Sequence, residues 1–133
     1  MKKLVLCVAL IGFSGFAIAA DAPTTAQTGI RRTELQRVTV PGTAFVTVTM
    51  RTELDPGAQT GMHTHPGDEI GYVLSGQLTL KFKGQPDRML KAGDSYLTPA
   101  GVAHNGVSTG PDVYRSIATY IVDSTKPMTT PVP

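Results

Sequence analysis

The stretch from Gly57 to Gly76, GAQTGMHTHPGDEIGYVLSG, decides how this chain folds. His63 and His65 lie two residues apart, a spacing that sets both imidazoles on one face of an extended strand; a helix would need a spacing of three or four. Pro66-Gly67-Asp68 then turns the chain, with Asp68 suited to a turn-bonding or solvated role, and Glu69 enters beyond the turn. From Glu69, strand alternation sends Gly71 and Val73 to the carboxylate's side and Tyr72 to the other, so Gly71 is expected to leave open space beside Glu69. Pro56-Gly57 and Gly76 punctuate the stretch as turn formers, and nothing around them has a phosphate-cradling pattern.

Outward from this stretch the strand signals continue. Phe45 to Leu54 alternates, with Val46, Val48, Met50 and Leu54 on one face and Thr47, Thr49, Arg51 and Glu53 on the other. Further strands are expected at Glu34 to Val40, Ile70 to Leu74, Gln77 to Phe82, Arg88 to Leu90, Ser95 to Leu97, His104 to Val107 and Tyr114 to Val122. Gly and Pro turns separate nearly all of them, and no window after the leader carries a helical stripe. Many short strands with turn punctuation predict an all-β sandwich or small barrel in a single domain. Met50, Leu54, Leu78, Leu80, Phe82, Leu97, Ile117 and Ile121 are the expected core or pocket wall.

The chain holds three histidines, and all lie between positions 63 and 104. His104 follows the rigid turn Pro99-Ala100-Gly101, so it arrives from a different strand than His63 and His65. Imidazoles gathered this way, with a carboxylate beside them, point to metal binding. No Ser-His-Asp arrangement remains once the histidines are assigned so. Tyr96 and Tyr120 are candidate hydroxyl donors to a ligand, with packing as their simpler role, and Arg51, Arg88 and Arg115 are expected on solvated faces.

Two motifs carry a resemblance. Gly57, five residues, His63-Thr64-His65, three residues, Glu69, six residues and Gly76 resembles the first motif of the cupin superfamily. Gly93, five residues, Pro99-Ala100-Gly101, two residues and His104 resembles most of the second. Its end departs from the pattern, with Ser108 where many members have Asn; Asn105 stands out of that register. The resemblance implies a jelly-roll, or double-stranded β-helix, barrel of the small bacterial type, similar to quercetinase-like cupins. It implies that His63, His65, Glu69 and His104 converge on one divalent transition-metal ion, Fe, Mn, Ni, Cu, Co or Zn, with positions left open for a small-molecule substrate. A dioxygenase-type enzyme is the leading expectation, with Glu69 as ligand and candidate base. A metal-dependent isomerase or lyase on a sugar or hydroxy-carbonyl compound, and a non-catalytic ligand-binding or sensory barrel, are the alternatives. A homodimer is expected, pairing through an edge near Arg31 to Val40 or Tyr114 to Val122.

The first twenty residues read as a signal peptide: Lys2 and Lys3, an apolar run from Leu4 to Ile11, and Ala17-Ile18-Ala19-Ala20 for cleavage before Ala20 or Asp21. The run is short and broken by Gly12, Ser14 and Gly15, which argues against a membrane anchor. Cys7, the one cysteine, leaves with this leader, so the mature chain has no disulfide and no thiolate ligand. Of 12 basic residues the leader holds two, and 12 − 2 = 10 then balances 10 acidic residues. A neutral exported chain without a basic stripe is not expected to bind nucleic acid. Residues 21–30 are expected as a flexible entry segment, 31–125 as the barrel domain and 126–133 as an irregular tail, in the periplasm of a Gram-negative bacterium or secreted beyond it. Intact-mass measurement of the exported protein should give a chain beginning at Ala20 or Asp21, and recovery of the full-length or lipid-modified chain would overturn the export assignment.

Overall fold

The computed structural model describes residues 28–133, so the leader, its cleavage site and most of the entry segment lie outside the described residues. Ten strands follow: β1 (Ile30–Thr39), β2 (Phe45–Leu54), β3 (His63–Thr64), β4 (Asp68–Ser75), β5 (Gln77–Phe82), β6 (Arg88–Lys91), β7 (Ser95–Thr98), β8 (His104–Ser108), β9 (Tyr114–Asp123) and β10 (Thr130–Pro131). No helix occurs among the described residues. The strands form two antiparallel five-stranded sheets, ordered β1-β2-β9-β4-β7 and β10-β3-β8-β5-β6. The all-β, single-domain barrel expected from turn spacing is therefore what forms.

Alternation builds the interior. On β2, Val46, Val48, Thr52 and Leu54 are buried while Arg51 is exposed. Val73, Tyr96 and Tyr114 from the first sheet pack against Leu78, Leu80 and Phe82 from the second. Val46, Val48, Ala118, Tyr120 and Val122 form an adjoining cluster. Each such side chain, once fully buried, contributes about 1.5–3 kcal/mol, whereas exposed pairs such as Arg37 with Glu34 add little. Packing therefore holds the barrel.

Gly76 lets the chain leave one sheet for the other. It sits between β4 and β5 with φ of 74°, and a Cβ there would lie 2.7 Å from the Tyr114 Cα and 2.8 Å from the Val113 carbonyl oxygen. Both the left-handed backbone and the close approach demand glycine. Gly71 differs from its expectation. It does face inward, but the volume beside it is filled, since a Cβ there would stand 2.0 Å from Cζ of Tyr96. The missing side chain makes room for a ring on the neighbouring strand.

Other expectations are corrected. Leu97 and Ile121 are exposed, and Ile117 is only partly covered, because β7 and β9 turn Tyr96, Thr98, Ser116, Ala118 and Tyr120 inward instead. β1 begins at Ile30, the last residue assigned to the entry segment, and the tail is not irregular throughout, since β10 pairs with β3 through Thr130 to Thr64 and Pro131 to His63. β9 lies between β2 and β4, so Tyr114 to Val122 offers no free edge; β1, with Leu35 and Val38 exposed, is an edge strand.

Candidate metal centre

The two sheets bring different side chains to one point between them. β3 carries His63 directly opposite His104 at the start of β8, and His65 follows β3. β4, in the other sheet, carries Glu69. All four side chains are buried, with Glu69 6% exposed and His104 3%. The donor atoms of His63, His65 and His104 lie within 4.8 Å of one another, a group able to hold a metal ion. Nε2 of His63 and of His65 are 3.2 Å apart. Glu69 Oε2 lies 3.5 Å from His65 Nε2 and 3.4 Å from His104 Nε2. Adjacent ligands on bonds of about 2.1 Å stand roughly 3 Å apart, so these separations fit one small cation.

The tautomers follow from the outer nitrogens. Nδ1 of His63 lies 2.8 Å from the Gly61 carbonyl, that of His104 2.9 Å from the Val102 carbonyl, and that of His65 2.7 Å from the Met128 carbonyl. A carbonyl only accepts, so each Nδ1–H donates and each Nε2 turns its lone pair inward. Lone pairs aimed together at 3.2 Å repel unless a positive charge lies among them. The donor chemistry therefore suits a divalent ion of the borderline transition series.

Glu69 is held by its other oxygen. Tyr96 and Tyr120 donate to Oε1 at 3.0 and 2.9 Å, which leaves Oε2 facing the histidines. Burial, then the Glu69 charge, pushes both phenols well above their ordinary value, so they remain protonated donors. Burial alone would raise the Glu69 carboxyl, but positive charge and hydrogen bonding from His104 and His65, when these carry a proton on Nε2, outweigh it and hold the group well below the usual carboxylate range. Asp68 stays outside, where its Oδ1 accepts from the Ala100 amide at 2.9 Å and ties the Pro66–Asp68 turn to the Pro99–Gly101 turn.

A cavity of about 100 Å³ opens from the cluster, lined by the four residues, the tyrosines, and aliphatic groups such as Met50 and Leu80. Arg51, Arg88 and Arg115 lie exposed and away from it, as expected. Arg32, which sequence reasoning passed over, does line it. The tyrosine clamp on Glu69 was also missed in that role, though one signal existed. Arg115 shares its parity with Ile117 and Ile121, and a charge on that face marks it as the outer one.

Burial lowers His63 from the ordinary 6.5 to about 4, with the neighbouring His104 and His65 in the same direction and the Gly61 carbonyl opposing. Between those values the unfolded chain binds the proton and the folded chain does not, so this stability is fully present above about pH 6.5 and declines as pH falls toward about 4. At about 1.4 kcal/mol per unit the loss reaches about 3 kcal/mol. Denaturant unfolding of chelator-treated protein across that range should record the decline; a flat profile would contradict the buried, neutral His63.

The chain matches the cupin-domain family model over residues 50–120. It is 32% identical over 102 residues to oxalate oxidase 2 of Hordeum vulgare, across 70% of this chain and 46% of that protein. The chain thus spans about half the length of the curated relatives it matches first. Among solved structures it resembles KdgF from Halomonas sp., with TM-score 0.58 and 27% identity over 71% of this chain and 81% of that one. It also resembles a Klebsiella pneumoniae protein with a double-stranded β-helix domain, with TM-score 0.63 and 20% identity over 76% and 84%, a likeness of fold alone. With the two-sheet barrel and its inward cluster of histidines, this match establishes that the chain belongs to the cupin family.

Proposed function

We propose that the protein is an exported, metal-dependent enzyme of the dioxygenase type acting on a small organic substrate, with one divalent transition-metal ion held by His63, His65, His104 and Glu69. The carrying observation is a cluster of histidines and one carboxylate that is open on one side to a small cavity. When bound, such an ion supplies a Lewis-acid and redox-active centre. The carbonyl-bonded imidazoles keep their lone pairs aimed inward, and the tyrosines present only Oε2 of Glu69 to the ion. Apolar walls limit water around the bound substrate.

Oxidative chemistry is favoured over isomerase or lyase chemistry by what the cavity lacks. Proton abstraction needs a free base. Among the described residues lining the cavity, every histidine and the sole carboxylate belong to the cluster. Glu69 accepts both phenols through Oε1 and turns Oε2 to the histidines, and Tyr96 and Tyr120 are pushed upward and keep their protons. Similarity to oxalate oxidases supports the same choice. Elemental analysis of protein exported in its own host, purified without chelators or a histidine tag, should find about one iron, copper, manganese or nickel per chain, with O2 uptake on phenolic, diketone or dicarboxylate substrates. The double variant His63→Ala/His65→Ala should lose the metal. Stoichiometric zinc without O2 uptake would move the assignment to an isomerase or lyase, and a metal-free protein to a non-catalytic ligand-binding barrel.

A homodimer pairing through β1 accompanies this proposal. Among the described residues β1 bonds only to β2 and leaves a ten-residue edge with no buried residue, including Leu35 and Val38. Such an edge is a template for another strand. Sedimentation should give a dimer for the native chain and a monomer for Leu35→Glu/Val38→Glu; a monomeric native chain would refute the pairing.

A further inference from the structure

Among the described residues Arg32 is the one arginine or lysine lining the cavity. Its place follows from register. Arg32 lies opposite Thr52 on β2, and Thr52 lies opposite Ser116 on β9. Directly opposed residues share a face of the sheet, and Thr52 and Ser116 are buried on the inner face, so Arg32 belongs to that face, at the solvent-exposed rim. Its neighbours in charge are already matched. Arg31 pairs with Asp55 at 2.9 Å and with Glu53 at 3.3 Å, and Arg37 pairs with Glu34 at 2.7 Å. Arg32 alone among the arginines of β1 has no ion-pair partner among the described residues.

A second, independent feature lies in the same cavity. The Tyr114 side chain is 2% exposed and lines the cavity, and its hydroxyl, beside Ser116 and Tyr96, makes no hydrogen bond of good geometry among the described residues. A buried hydroxyl so weakly matched can take a ligand oxygen in the cavity as its partner. Charge points the same way. A divalent ion and Arg32 contribute three positive charges against one negative charge on Glu69, so the cavity favours an anion.

Length sets the size of that anion. Ser116, in the Arg32 row, stands four positions along β9 from Tyr120, which is opposite Glu69, and β1 lies three strands from β4 across the curled sheet. At about 3.3 Å per residue the offset along the strands is roughly 13 Å, and the curl of the sheet and the long arginine side chain bring Arg32 to the same cavity as the cluster. A cavity of about 100 Å³ admits a molecule of a few carbons. The planar guanidinium fork matches a carboxylate through two parallel hydrogen bonds.

We propose that Arg32 is the specificity-determining residue of this site, receiving the carboxylate of a small organic acid whose opposite end reaches the histidine–glutamate cluster. This assignment rests on the metal-dependent function proposed above, and equilibrium binding separates the two. Calorimetric titration of the metal-loaded protein with malonate and succinate should show binding that Arg32→Gln weakens about tenfold to a hundredfold and Arg32→Lys partly restores. The uncharged malonamide should bind all three proteins alike, and metal content should not change among them. Because Arg32 is exposed, the variants are expected to unfold at the temperature of the native chain. Carboxylate binding indifferent to Arg32→Gln, or no carboxylate binding by the native protein, would overturn the assignment even where one metal ion per chain is retained. Binding that depends on Arg32 in a protein that retains no metal would keep the anion site and sink the metal-dependent function.

Discussion

A carboxylate buried between two sheets is the constraint on which the rest of the site depends. Burying a charge without partners costs several kcal/mol, and Glu69 is almost wholly enclosed. The sheet that carries it supplies two phenols from the strands on either side of β4, Tyr96 from β7 and Tyr120 from β9. The opposite sheet supplies the histidines. Neither sheet alone satisfies the group, so the chemistry of the site and the closure of the barrel are one requirement. Gly71 belongs to the same requirement, because Tyr96 reaches Glu69 across the space that any larger residue at that position would occupy.

Orientation of the imidazoles is divided between local and distant backbone. His63 and His104 each bond the carbonyl two residues earlier, so their own strands aim them. His65 bonds the carbonyl of Met128 and so depends on a segment far along the chain. The segment Met128 to Pro131, which bonds His65 and pairs with β3, is thereby part of the site's support.

Features written at fixed spacing were legible in the sequence. The His63–His65 pair, the turn before Glu69 and the Pro99–Gly101 turn before His104 depend on neighbours along the chain, and strand boundaries came within a few residues for the same reason. Features set by pairing across strands were not. Apolar residues occupy both parities of β9, so the inward set of Tyr114, Ser116, Ala118 and Tyr120 could be separated from Ile117 and Ile121 only through Arg115 or through the register with β4. Arg32 was hidden likewise, since its face is fixed by Thr52 and Ser116 on other strands. Gly71 could be placed inward by alternation, yet the ring that fills its space comes from β7.

The carbonyl of Met128 gives synthesis of the chain a direction that matters. By the time a ribosome has made His104, both motifs exist in full, but the acceptor that turns His65 has not yet been added. A chain ending in that interval has every imidazole and lacks the acceptor that orients one of them. The last turn of the chain is therefore as much a part of the site as the motifs, although it carries none of the four inward-facing groups.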